Sequence, residues 1–183
     1  MQVGSDISLA LDCAASEFFS HEKYELKGIG KSLSSRQMIE YLASLCVKFN
    51  VSSVEDPFSE SDWRAWSEFT REMTNLQIVG DDLFVTQKEL LARGIKEKSA
   101  NSILIKLNQV GTLTETLETI ALSKNNNFST IISHRSGETE DSFISDLAVA
   151  VNADFIKSGA PARSDRTAKY NRLLIIENEL YPV

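Results

Sequence analysis

Short apolar runs recur along the chain, and each is followed by a longer stretch with helical periodicity. The runs are Ile7-Ser8-Leu9-Ala10-Leu11, Ser53-Val54, Gln77-Ile78-Val79, Ile103-Leu104-Ile105, Thr130-Ile131-Ile132 and Phe155-Ile156. Runs this short and rich in β-branched residues predict parallel strands buried on both faces, which need no polar alternation. Between them lie amphipathic segments. Residues 35–49 set Met38, Ile39, Leu42, Leu45, Cys46 and Phe49 along one stripe, with Arg36, Glu40 and Lys48 elsewhere. Ser61-Asp62 opens a segment with Trp63, Trp66, Phe69 and Met73; Thr86 precedes Leu90 and Leu91. Thr112 precedes Leu113, Leu117, Ile120 and Ala121, and Ser136-Gly137-Glu138-Thr139 leads into Phe143, Ile144, Leu147 and Val151. A last segment at 163–180 carries Tyr170, Leu173, Leu174 and Ile176. Ser and Thr ahead of such stripes read as N-caps. Strand and helix alternating six times predict a parallel α/β sheet, with residues 1–183 as one partial domain.

What ends each apolar run carries the chemistry. The runs close on Asp12, Glu55-Asp56, Asp81-Asp82, Lys106, His134-Arg135-Ser136 and Lys157-Ser158. In a parallel sheet these positions share the carboxyl edge, where α/β barrels build their sites. An open doubly wound sheet binds at one crevice and needs no reactive side chain on every strand. A ring aims them all at one spot, which favours a barrel. A closed eight-stranded barrel takes ~250 residues, so six β/α units in 183 residues make an incomplete one.

An acid after a strand is often only a turn former or a helix cap. Three on successive strand ends, Asp12, Glu55 and Asp81, would converge and repel unless a hard divalent cation joined them, and few carboxylates suit Mg2+ better than Ca2+. Asp56 and Asp82 read as bracing or capping groups behind them. Lys106 closes SILIK and Lys157 closes FIK. Each could be a lysine snorkelling at the surface, but cations gathered around one cavity favour the neutral amine that a lysine base requires. His134-Arg135-Ser136, placed before a helix, offers a guanidinium, a hydroxyl and N-terminal amides as a phosphate cradle; His134 alone could be a satisfied polar residue. The sum is metal-assisted proton abstraction beside a carboxylate.

Composition narrows the setting. With 19 basic and 26 acidic residues the net charge is −7, and no basic cluster suggests a nucleic-acid partner. No stretch approaches the roughly 20 apolar residues of a membrane span, and the N-terminus lacks the pattern of a secretory signal. Cys13 and Cys46, without metal-type spacing, read as reduced buried thiols of an intracellular protein.

LALDCAASEF, VEDPFSESDW, VGDDLFVT, SILIKLNQVGTLTET, SHRSGETED and SGAPARSDR resemble, in order and spacing, the successive blocks of the enolase family. The resemblance covers nearly the whole chain. It implies the C-terminal (β/α) barrel of enolase and the Mg2+-dependent, reversible dehydration of 2-phosphoglycerate to phosphoenolpyruvate in glycolysis. Asp12, Glu55 and Asp81 match the Mg2+ ligands, and Lys106 the base at C2. His134, Arg135, Ser136 and Lys157 match substrate-binding positions. A cytoplasmic location is implied, with a cell-surface presence known in the family. The family's capping domain, general-acid glutamate and second-metal serine would precede Met1. The chain is therefore expected to be a fragment, poorly active alone, that forms a homo-oligomer or associates with the missing N-terminal half. A non-catalytic scaffold role is the alternative. A related enzyme acting on an acid sugar or an amino-acid derivative fits less well, because it has no use for a phosphate cradle.

Overall fold

The computed structural model describes Gln2, Gly4 and residues 6–182. In chain order the elements are β1 (Leu9–Asp12), β2 (Phe19–Ser20), β3 (Lys23–Leu26), β4 (Lys31–Leu33), α1 (Ser35–Phe49), β5 (Val51–Glu55) and α2 (Trp63–Glu72). There follow β6 (Gln77–Gly80), α3 (Lys88–Glu97), β7 (Ser102–Ile105), the short α4 (Leu107–Val110), α5 (Leu113–Asn125), β8 (Ser129–Ser133), α6 (Phe143–Ala150), β9 (Phe155–Lys157) and α7 (Ser164–Leu180).

The six apolar runs form one parallel sheet in the order β1-β5-β6-β7-β8-β9, so each strand lies beside its predecessor. Side chains alternate between its faces. Val54, Ile78, Ile103, Ile105 and Ile132 pack under the helices in the main core. Val79, Leu104 and Ile131 form a second apolar cluster on the opposite face. Apolar residues on both faces are what the unalternated runs required. Drawn flat, six strands would put β1 and β9 roughly 24 Å apart, five spacings of about 4.8 Å. Instead, Lys157 at the end of β9 touches Asp12 at the end of β1, with 2.8 Å between Nζ and Oδ2. The sheet is therefore strongly curled, an incomplete α/β barrel of the TIM type with β1 and β9 as its two edges.

Helix α1 occupies the predicted residues 35–49 because both its ends are well specified. Ser34 caps it, accepting from the Gln37 amide while the Gln37 side chain accepts from the Ser34 amide at 3.0 Å. Asn50, at φ 50°, closes it in the left-handed region. Met38, Ile39, Leu42 and Cys46 are buried as expected, whereas Phe49 is exposed. Cys46 is a buried free thiol, and the free thiol of Cys13 is only partly covered, in the loop after β1.

Two elements depart from the sequence reading. Strands β2, β3 and β4 form a small antiparallel sheet between β1 and α1 that the apolar pattern does not announce. It is anchored by Tyr24, fully buried against Phe19 and Phe58. The Tyr24 hydroxyl donates to Asp62 Oδ2 at 2.9 Å and accepts from the Ser59 amide at 3.2 Å. Helix α5 turns a different face inward than its leucines predict. Leu113 and Leu117 are exposed, while Thr116, Thr119, Ile120 and Ser123 are buried. The hydroxyls of Thr116 and Ser123 bond to carbonyls of their own helix, and Thr119 donates to Thr86 O at 3.0 Å, so the small side chains are satisfied while α5 packs closely.

Phe84 follows the acidic pair at the end of β6 and is fully buried. Its ring lies between Gly80 of β6 and Gly94 of α3, filling the space that a side chain on either glycine would take.

Candidate active site

The strand register places the motif residues at one mouth. Asp12 pairs with Glu55 and Ser133 with Lys157, while Asp81 and Lys106 directly follow β6 and β7. The Lys157 ammonium lies 2.8 Å from Asp12 Oδ2 and 2.8 Å from both Glu55 oxygens. Glu55 is 6% exposed, and its carboxyl is held above the ordinary range. Burial is the main cause, Lys157 opposes it, and the neighbouring Asp12 and Asp81 charges add to it. Burial draws the Lys157 ammonium down, but the Asp12 and Glu55 carboxylates outweigh it and raise its pKa. The two shifts have different main causes, burial for Glu55 and the neighbouring carboxylates for Lys157, and both favour the protonated form.

Asp81 meets Lys106 Nζ at 2.5 Å and accepts from Gln109 Nε2 at 3.3 Å. Thr86, expected as a helix cap, performs another task, since α3 is preceded by Gln87 at its N-cap. The Thr86 hydroxyl accepts from the Lys106 amide at 2.9 Å and donates to Gln109 Oε1 at 2.8 Å. It thus ties together the two residues that hold Asp81.

Asp56 sits at φ 42°, a conformation that Asp tolerates better than most residues. Its two oxygens accept from the Asp81 and Asp82 amides, each at 2.9 Å. Burial pushes its carboxyl up to about 8 despite those amides, and the Asp81 and Asp82 charges add to the rise. Asp56, Asp81 and Asp82 form the group whose possible ligand oxygens all lie within 4.8 Å of one another. Asp56 spends both oxygens on the loop that presents Asp81, so we read it as a brace. Asp12 and Glu55 converge instead on the Lys157 ammonium, and Glu55 feels the charge of Asp81. The donors offered by Asp12, Glu55 and Asp81 are all carboxylate oxygens, which fit a hard divalent cation.

The His134–Ser136 segment leaves the end of β8, its His134 amide bonded to Lys157 O at 2.9 Å. Arg135 and Ser136 are exposed, and Arg135 Nη1 donates to Asn108 Oδ1 at 3.3 Å. Helix α6 does not begin here. Residues 137–142 intervene before Phe143, so no helix N-terminus adjoins Ser136, and the cradle is a loop. Two basic residues of α7 that the sequence reading passed over brace this loop. Arg166, 8% exposed, donates to Arg135 O at 2.8 Å and Ser136 O at 3.0 Å, and contacts His134 Nδ1. Lys169, 1% exposed, donates to Asp165 O at 2.7 Å and to Thr139 O, with Glu138 3.6 Å away. The signal for them was the spacing of a basic pair three apart on the face of α7 that also buries Ile176.

A family model described as "Enolase, C-terminal TIM barrel domain" matches residues 2–182. The chain belongs to the enolase family. An enolase of Natranaerobius thermophilus (strain ATCC BAA-1301 / DSM 18059 / JW/NM-WN-LF) is 55% identical over 181 residues, which are 98% of this chain and 42% of that protein. The chain thus spans less than half the length of this enolase relative. The matched family domain is a TIM barrel, in agreement with the curled parallel sheet and its ordered strands. Among the described residues, no helix is long and apolar enough to cross a membrane.

Proposed function

We propose that this chain carries the barrel share of an enolase active site, for the Mg2+-dependent, reversible dehydration of 2-phosphoglycerate to phosphoenolpyruvate in cytoplasmic glycolysis. Its main support is the gathering of Asp12, Glu55, Asp81, Lys106 and Lys157 at one mouth, drawn from both edges and the middle of a curled sheet. Asp12, Glu55 and Asp81 are assigned to the cation. When bound, Mg2+ supplies stabilisation for the negative charge that grows on the substrate carboxylate. Lys106 is assigned to take the proton from C2, a role that requires it first to leave its contact with Asp81 and give up one ammonium proton to solvent, so that a neutral amine faces C2. Lys157 is assigned to the substrate carboxylate, and His134, Arg135 and Ser136 to the phosphoryl group.

Departure of the hydroxyl group needs an acid, which we assign, with a serine for a second Mg2+, to the part of a longer enolase that this chain does not span. A general acid is worth roughly 10²–10⁴-fold in rate, so the chain alone should turn over poorly or not at all. It should act on joining that other part, or assemble into a homo-oligomer.

Calorimetric titration with Mg2+ tests the site directly. Weak binding is expected, and it should be lost in Glu55→Gln and in Asp81→Asn. Mixing with the remaining segment of a longer enolase should then restore dehydration of 2-phosphoglycerate, except in Lys106→Ala. Mg2+ binding indifferent to both carboxylate substitutions overturns the proposal.

A further inference from the structure

A single side chain reaches all three residues of the His134–Ser136 loop. Arg166, in the first turn of α7, contacts His134 Nδ1 and donates to the carbonyls of Arg135 and Ser136 at 2.8 and 3.0 Å. Asp165 Oδ2, 3.2 Å from Arg166 Nε, holds the guanidinium from behind. A guanidinium has donors only and keeps its charge. His134 Nδ1 must therefore be the acceptor, and the ring proton must reside on Nε2. Gly159 makes the arrangement possible. At φ +77° it leaves room that a Cβ would close, 3.0 Å from His134 Cε1 and 3.1 Å from Arg166 Cδ. Burial first, and Arg166 second, hold the imidazole below its ordinary pKa; Lys157 and Lys169 act the same way and Glu138 opposes them.

The two carbonyl contacts have a second effect. In a planar trans peptide the C=O of one residue and the N–H of the next point in opposite directions, and there is no cis peptide among the described residues. Turning the carbonyls of Arg135 and Ser136 towards Arg166 directs the amides of Ser136 and Gly137 away from it, at two exposed residues.

We propose that Arg166 is a positioning residue, which fixes His134 as a neutral Nε2–H donor and aims the Ser136 and Gly137 amides at an oxyanion of a phosphoryl group. The assignment of the anion rests on the phosphate role given to this loop under the proposed function; the assignment of the tautomer does not.

The chain has two histidines, and the other, His21, is exposed in a turn, so ring-nitrogen NMR of the 15N-labelled chain is uncrowded. The expected spectrum shows His134 with a bare Nδ1 and a protonated Nε2 at neutral pH. Arg166→Met should lose this single tautomer and weaken binding of inorganic phosphate roughly tenfold, about the effect of one charge-assisted hydrogen bond. Gly159→Ala, which crowds the same ring and guanidinium, should do likewise. A purely structural Arg166 would leave the tautomer unmoved. A wild-type His134 protonated on Nδ1 overturns the proposal whether or not either variant folds, and so does an Arg166→Met chain with wild-type tautomer and phosphate affinity. The expected tautomer without any phosphate binding upholds the positioning of His134 and overturns the phosphate role of the loop.

Discussion

Lys157, on the last strand of the sheet, lies 2.8 Å from Asp12, on the first. The two are joined with Glu55 in one cluster that spans both open edges. The ammonium balances two carboxylates where the proposed Mg2+ site would lie, so lysine and cation compete for the same oxygens.

Lys157→Met should lower stability by about 1–2 kcal/mol, less than a fully buried pair would lose, because solvent screens groups this open; the Lys157 and Asp12 side chains are 35% and 46% exposed. Added Mg2+ should raise Tm more in this variant than in the wild type, since the competitor is gone. Thermal melts with and without Mg2+ read both effects, and an equal Mg2+ response in the two proteins would contradict the competition.

A side chain at Gly94 would collide with the Phe84 ring, and one at Gly80 would come within 2.5 Å of it. Gly94→Ala should therefore cost about 1–3 kcal/mol by overpacking. Combined with Phe84→Leu it should cost clearly less than the two single changes added together. Urea denaturation of the four proteins measures the coupling, and strict additivity would show that the ring yields freely.

Tyr24→Phe removes the hydroxyl that serves both Asp62 and the Ser59 amide. Asp62 keeps Ser35 as a donor, but the Ser59 amide is left without its acceptor. A loss of roughly 1–3 kcal/mol follows from the unsatisfied buried donor. Hydrogen exchange should accelerate first in β2, β3 and β4; protection unchanged there would show that the small sheet is held by other means.

Glu138 is held below the ordinary carboxylate range. Burial pushes it upward, but the amides of Thr139 and Arg135 and the Lys169 charge outweigh it. A depressed carboxylate contributes stability above its unfolded pKa, which is lost as the pH falls through the folded value. Glu138→Gln should therefore be less stable than wild type at neutral pH, and the gap should close as the pH drops below 4.5, the ordinary value. A gap that stays constant through acid pH would place the stabilisation elsewhere.

The parallel sheet was legible because short apolar stretches recur along the chain with charged residues at or just after their ends, as SILIK has at Lys106. Helix α1 was legible from its apolar stripe through Met38, Ile39, Leu42 and Cys46, and the structure adds the Ser34, Gln37 and Asn50 caps that fix its ends. The strands of the small antiparallel sheet are two to four residues long and mixed in polarity, so no period marks them. Helix α5 misled for a different reason: its hydroxyls are satisfied internally and can face inward, which hydrophobicity alone does not register. The candidate site divides the same way. Residues at strand ends could be placed from sequence, whereas Thr86, Arg166 and Lys169 act through contacts with loops 20 to 32 residues away in the chain.

The order of the strands also sets the order in which the molecule can assemble. Each strand of the parallel sheet pairs with the strand before it in that sheet, so among the described residues pairing can advance strand by strand, each step closing only the loop between sequence neighbours in the sheet. The contact between Asp12 and Lys157, 145 residues apart, stands outside that sequence. It forms only after β9 has joined the five strands before it, and its appearance would time the curling that brings the ends of β1 and β9 together.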